Sequence, residues 1–465
     1  MNPKRVVRPG LAALVLALAG CAGNLPNLRW QYLQTDPAPV QERQQKARPH
    51  PVIVIPGLMS SRLRDADTGR EAWFGPWWRI YWHDYRDLAL EIDPQTLDPR
   101  PSALEASSLP RTVLGNDFYG SLFDVLEDGG GYEYTEPGTP YTGRERRYYR
   151  FPYDWRYGNV RSARRLDALI EQIRRDYDDP DLKVDIVAHS MGGLVARYYM
   201  RYGTTDVLDD NAFPVNLDGA TKVRRLVLLG TPNLGSVLTT HRLMEGYKMM
   251  FNRIPAETIV TMPSVYQLLP HPLVDWLVTT DGEPLERDLF DVRIWRRFEW
   301  GIFDPDVITR IKERADSPQA GRERVELLQS YFEKHLERAR RFVWSLTVEI
   351  PDNAYEIIVF GGNCQATPSR LVVEEVDGVS HVRLEPDQIH KPAPDIDYTR
   401  LMYAPGDGTV TKPSVLARDF LDPTIKRHKY NHFPLDYAFF LCTPHGQLTS
   451  NISFQDNLLN ALLSW

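Results

Sequence analysis

Apolar residues in this chain fall into two kinds of run. The first is short, continuous and rich in β-branched side chains: Val52-Ile53-Val54-Ile55, Val184 with Ile186-Val187, Val223 with Leu226-Val227-Leu228-Leu229, and Ile357-Ile358-Val359-Phe360. Such runs, bounded by glycine, proline or polar residues, predict strands buried on both faces of a parallel sheet. The second kind repeats at helical spacing. Leu166, Leu169, Ile170 and Ile173 predict an amphipathic helix over 162–177, and Val325, Leu328, Phe332, Leu336, Ala339 and Val343 another over 324–346. A strand over 147–151, a helix within 109–127 and a final helix over 451–463 complete the set. A hairpin of 371–376 and 381–384 turns at Asp377-Gly378. Strand and helix alternate as a doubly wound sheet requires, which puts the chain in the α/β class. From about 237 to 350 the alternation stops. The pattern there predicts helices and no strand, hence a mostly helical cap or lid inserted over the site.

One predicted strand ends in a sharp junction, Ala188-His189-Ser190-Met191-Gly192-Gly193, before a run with helical spacing. Strand, tight turn and helix put Ser190 at an apex, in strained backbone that small neighbours make tolerable. The motif reads A-x-S-x-G rather than G-x-S-x-G. The turn exposes the Ser190 hydroxyl and sets the Met191 N–H at a helix N-terminus, where it can donate to a developing oxyanion. The turn after the first strand, Pro56-Gly57-Leu58, offers a second amide donor, that of Leu58. Another turn, Gly230-Thr231-Pro232-Asn233-Leu234-Gly235-Ser236, sits at the sheet's carboxyl edge, where open α/β sheets hold their ligands.

A serine hydroxyl is a weak nucleophile and needs a histidine base oriented by a carboxylate. Among the last histidines, His428, His432 and His445, the third lies in a loop just before the final helix and is the chosen base, with His432 next. Asp407, between two glycines, is the chosen acid, and Asp377 its competitor. The order Ser190, Asp407, His445 is that of the nucleophile-elbow hydrolases.

Bulk properties narrow the picture without changing it. The 465 residues carry 42% hydrophobic and 25% charged side chains and a net charge of −7, as a globular protein does. No basic stripe suggests nucleic acid, and no ligand spacing suggests a metal or other cofactor. At the N-terminus, Lys4, Arg5 and Arg8 precede an apolar stretch over 11–18, too short to span a bilayer, that ends in Leu18-Ala19-Gly20-Cys21. This resembles the bacterial lipoprotein signal. The resemblance implies cleavage after residue 20, acylation of Cys21 and a membrane anchor, with Ala22 pointing to the outer membrane of a cell envelope. Residues 21–50 read as a tether and 51–465 as the catalytic domain. Cys364 and Cys442 remain, and an exported location permits but does not require a bridge between them.

Aromatic residues make up 11% and cluster at Trp73, Phe74, Trp77, Trp78, Tyr81, Trp82 and Tyr85. Such rings suit a water–lipid boundary or the packing of a cap; Trp73, Phe74, Trp77 and Trp78 are the candidates for substrate or membrane contact. Met244, Met249, Met250 and Met262 could line an adaptable acyl groove or pack a core. Asp154 and Arg156 could form a charged lattice beneath the site, although a surface ion pair is the plainer reading.

Taken in order, residues 51–58, Tyr153-Asp154-Trp155-Arg156, Ala188-His189-Ser190-Met191-Gly192-Gly193, Gly406-Asp407-Gly408-Thr409-Val410 and His445 resemble the lecithin–cholesterol acyltransferase family, including its lysosomal phospholipase branch. The resemblance spans most of 51–465 and implies an α/β-hydrolase fold with a cap. It implies Ser190, Asp407 and His445 as catalytic residues and the Leu58 and Met191 amides as oxyanion donors. The implied activity removes a fatty acyl chain from a phospholipid or other lipid ester and passes it to an alcohol or to water. Animal members brace the loop after the first strand with a disulfide; here no cysteine stands between Cys21 and Cys364.

Overall fold

Seven parallel strands form the centre of the computed structural model: β1 (Val52–Ile55), β2 (Tyr132–Tyr134), β3 (Arg146–Arg150), β4 (Val184–His189), β5 (Val223–Leu229), β6 (Glu356–Gly362) and β7 (Tyr437–Leu441). Their spatial order is β7-β6-β5-β4-β1-β3-β2, every neighbouring pair parallel. The structure describes residues 49–143, 145–249, 252–351, 354–417, 433–435 and 437–463. Cys21, almost all of the expected leader and tether, Met250, His428 and His432 lie outside the described residues.

The continuous apolar runs follow from burial on both faces. In β1, Val52 and Val54 pack into one cluster with Phe454, Leu458 and Leu459 of helix α4 (Ile452–Leu463). Ile53 and Ile55 pack into the other, with Leu166, Ile170 and Ile173 of helix α1 (Asn159–Asp176) and most of helix α2 (Met191–Tyr202). Every residue of α2 is buried, so its sequence has no polar stripe. Helix α3 (Pro318–Ser345) buries the stripe read from its spacing; Ser317 caps it by accepting the Ala320 N–H, with Pro318 opening the first turn.

Three local expectations are corrected. The stretch over 237–350 holds strands: a hairpin of Tyr247–Met249 with Asn252–Ile254, and Leu277–Thr279, which pairs parallel with Leu371–Val376. Strands of three residues carry no readable period, and the second is stabilised by a partner nearly a hundred positions away. The helix expected within 109–127 shrinks to Gly120–Asp124 and a π-turn over Val125–Gly129. A tight ladder of Thr112–Val113 with Asn116–Asp117 precedes it, turned by Leu114 and Gly115 at positive φ. Asp154 and Arg156 are not a surface pair. Both are buried; Arg156 grips Asp154 with two N–H groups and donates to the Leu88 carbonyl and the Ser102 hydroxyl.

Cys364 and Cys442 are joined in a disulfide, their Cα atoms 5.0 Å apart. The bridge ties the chain just after β6 to the chain just after β7.

Candidate active site

β4 ends at His189, and Ser190 turns the chain into α2 with φ 53° and ψ −126°, a region that costs a non-glycine residue energy. The turn closes only because Gly192 and Gly193, just past Met191, lack side chains. A Cβ on Gly192 would lie 2.4 Å from the Pro56 carbonyl oxygen, and one on Gly193 would lie 2.0 Å from Thr231 Oγ1. The Ser190 N–H is held by the Leu229 carbonyl at 2.8 Å, and α2 starts at once. The Met191 N–H therefore sits in the first turn of a helix, where no intrahelical acceptor exists.

The loop after β7 brings His445 to the same edge of the sheet. Its Nε2 is 2.9 Å from Ser190 Oγ, and its Nδ1 is 2.7 Å from Asp407 Oδ2. The backbone reinforces the pair, the His445 N–H donating to the Asp407 carbonyl at 2.8 Å. Asp407 Oδ1 accepts the N–H groups of Thr409 and Val410. Burial alone would raise the Asp407 carboxyl; the neighbouring His445, its hydrogen bond and those two amides outweigh it and hold the group below the usual carboxylate range. An ionised Asp407 keeps the His445 proton on Nδ1 and leaves Nε2 to accept from the serine hydroxyl.

Each of the three side chains rests on a glycine. A Cβ on Gly57 would lie 2.8 Å from Ser190 Cβ, one on Gly230 3.1 Å from His445 Nδ1, and one on Gly362 2.5 Å from Asp407 Cβ. Space for the constellation is thus set by backbone.

Leu58, half-buried, follows Gly57 directly. The turn that carries it is clamped at four points by polar tips of buried aromatic residues. Tyr153 Oη donates to the Pro56 carbonyl at 2.9 Å, Gly57 N–H donates to Tyr119 Oη at 3.1 Å, Trp73 Nε1 donates to the Met59 carbonyl at 2.7 Å, and Trp155 Nε1 donates to the Ser61 carbonyl at 3.1 Å. The expectation for Trp73 and Phe74 as membrane-contact residues is corrected here. Trp73 is 2% and Phe74 6% exposed, and the Trp73 indole faces inward to the turn. Trp77 and Trp78 lie on a short helix (Trp77–Trp82) and are 64% and 50% exposed, with Trp82 at 69% beside them.

Asp377 lies in the exposed hairpin turn at φ 51°, next to Gly378, and is not part of this cluster. Met262 is fully buried in the core, whereas Met244 and Met249 are half-buried. Sequence reasoning missed Tyr119, which partners an amide 62 positions away and carries no local signal. Tyr153 and Trp155 stood within a motif already singled out.

With this geometry in place, comparison with known proteins is informative. Residues 142–291 match the family model of lecithin:cholesterol acyltransferase, a span that contains Tyr153 to Arg156 and Ser190 but neither Asp407 nor His445. No curated protein sequence matches the chain. Among solved structures, the fold is similar to a chain of the Tle4–Tli4 complex, with 15% identity, a TM-score of 0.55 and coverage of 90% of this chain and 98% of that one. Lipase BlEst2 of Bacillus licheniformis matches at 11% identity and TM-score 0.34 over 90% of this chain and 94% of that one. Lipase 1 of Pelosinus fermentans matches at 11% and 0.32 over 90% and 100%. The chain has an α/β-hydrolase fold, and its residues 142–291 match the lecithin:cholesterol acyltransferase family model.

Proposed function

We propose that the protein is a serine-dependent lipid acyl hydrolase and O-acyltransferase. The observation that carries the reading is the unbroken relay from Ser190 Oγ to His445 Nε2 and from His445 Nδ1 to Asp407, at 2.9 and 2.7 Å. His445 takes the Ser190 proton as Oγ attacks the ester carbonyl carbon. The carbonyl oxygen gains the negative charge and is met by the N–H groups of Leu58 and Met191. The tetrahedral centre collapses, the ester C–O bond breaks, and His445 returns its proton to the departing alkoxide. The acyl-serine then yields to water or to an alcohol by the same steps.

The match to lecithin:cholesterol acyltransferase supports an acyl-ester hydrolase or transferase in general. The lipid class is favoured by Trp77, Trp78 and Trp82, three exposed indoles on one short helix, a composition suited to a lipid–water boundary. Anchoring through an acylated Cys21 at a bacterial outer membrane would keep the domain within reach of that boundary.

The test is lipid mass spectrometry of the mature protein incubated with phospholipid vesicles and a long-chain alcohol. Free fatty acid or acylated alcohol is expected from the native protein and neither from Ser190→Ala. Activity retained by Ser190→Ala overturns the serine mechanism, and turnover confined to short monomeric esters overturns the lipid substrate.

A further inference from the structure

The turn that carries Leu58 is tied to the residue preceding the nucleophile. Tyr119 Oη accepts the Gly57 N–H at 3.1 Å, and the same oxygen lies 2.9 Å from His189 Nδ1. A phenol has one proton, so an oxygen that accepts an amide still has its own hydrogen to donate. Burial pushes the Tyr119 phenol up to about 12, which keeps that hydrogen in place. Burial first, then the nearby His445, pushes His189 down to about 3, which keeps its imidazole neutral, with one ring nitrogen protonated and the other free to accept. With the Tyr119 hydrogen assigned to His189 Nδ1, the His189 proton sits on Nε2.

This strut touches both sides of the chemistry. At one end, the Gly57 backbone is packed so tightly on Ser190 that a Cβ would come within 2.8 Å of the serine Cβ, so small slack in the turn changes the spacing between nucleophile and the Leu58 amide. At the other end, the His189 ring lies 5.0 Å from the His445 ring, centroid to centroid. A neutral ring there lets His445 accept a proton without facing a second positive charge.

We propose that Tyr119 and His189 are positioning residues for acyl transfer, a hydrogen-bonded strut that sets the Gly57–Leu58 turn against Ser190. The proposal rests on the reading of Ser190, His445 and the Leu58 amide given above. The strut acts where charge develops on the carbonyl oxygen and touches no part of an acyl chain, so its loss lowers kcat and leaves KM in place.

Tyr119→Phe removes one hydroxyl and keeps the ring against Phe123 and His189. Deleting an oxyanion donor costs about 100- to 1000-fold, so displacing one is expected to lower kcat by about 10- to 100-fold, with KM within about twofold. His189→Leu removes the acceptor and is expected to match it, and the double variant to be no worse than either single one. His189→Asn places an amide oxygen where Nδ1 accepts and is expected to rescue activity to within about threefold of wild type. Kinetics on a short soluble ester, with circular dichroism for the fold and a fluorophosphonate probe for Ser190, read all of this. Wild-type protein that labels at Ser190 and turns over, with Tyr119→Phe at wild-type kcat, overturns the strut and leaves the serine mechanism standing. A His189→Asn variant that falls as far as His189→Leu also overturns it. Should Tyr119→Phe fail to fold, the His189 pair decides. Wild-type protein that neither labels nor turns over overturns the underlying reading instead.

Discussion

Gly230 is where the geometry around His445 is tightest. Its φ is +59°, and a Cβ there would meet His445 Cε1 and Nδ1 at 3.1 Å and Leu448 Cδ1 at 2.8 Å. The Leu448 methyl must then shift, and the imidazole must give by a few tenths of an ångström against its bonds to Ser190 and Asp407. Gly230→Ala is expected to fold with a loss of about 1–2 kcal/mol from the left-handed backbone alone. Its kcat should fall by up to about 100-fold, since a displacement of about 1 Å at the reacting groups costs that much. Steady-state kinetics beside a melting curve measures both, and an unchanged kcat would show that the ring is not seated on this glycine. Residues of this kind explain what could be read at this scale before any coordinates. Ser190 stood out because strand, turn and glycines coincide within six positions. Asp407 and His445 followed from chain order and loop chemistry. Tyr119 did not, because its partners, Gly57 and His189, lie 62 and 70 positions away and neither requires a tyrosine by type.

Among the elements, those that were legible are the ones whose own residues carry a continuous apolar run or a period. β1, β4, β5 and β6 are runs buried on both faces, and α1 and α3 keep one stripe over several turns. The strands at Tyr247–Met249 and Leu277–Thr279 are too short for a period and exist because a distant partner pairs with them. The helix Trp77–Trp82 was legible in composition and misleading in detail. The cluster divides into inward rings, Trp73, Phe74 and Tyr85, that pack or clamp, and outward ones on the helix itself. The absence of a disulfide brace on the turn after β1 is offset by the aromatic clamp, to which Trp73 belongs. The outward face supports a separate prediction. Burying a large apolar side chain is worth about 1.5–3 kcal/mol, so a triple variant Trp77→Gln, Trp78→Gln and Trp82→Gln should lose at least about tenfold in affinity for phospholipid vesicles. Turnover of a short monomeric ester should stay near wild type, because the three indoles are exposed and lie outside the hydrogen-bonded set of Ser190, Asp407 and His445. Vesicle flotation and ester kinetics separate the two quantities, and equal vesicle binding by both proteins would remove this face from any role at lipid.

For the whole molecule, burial of histidines sets how the fold responds to acid. Burial is the first cause in each of three cases: His189 is pushed down to about 3, and His241 and His335 to about 4, all from a value of 6.5. In the unfolded chain these rings take up protons below about pH 6.5, whereas in the fold they stay neutral. The unfolded state then binds more protons, and stability falls as pH drops from about 6.5 towards 4. Carboxylates held low in the fold, Asp407 among them, add a further loss only below about pH 4. The histidine window therefore comes first. His335 is the clearest contributor: it is 5% exposed, its Nε2 donates to the Leu97 carbonyl at 3.0 Å, and Lys334, Arg338 and Asp98 are the charges around it. Linkage makes its share about 2 kcal/mol between pH 7.5 and pH 5. His335→Gln can keep a donor towards Leu97 and takes up no proton in either state, so its stability should depend less steeply on pH. Urea denaturation of both proteins at the two pH values measures the difference. A variant whose loss on acidification equals that of the wild type would show that His335 is not held neutral by the fold, and would move the acid response to other groups.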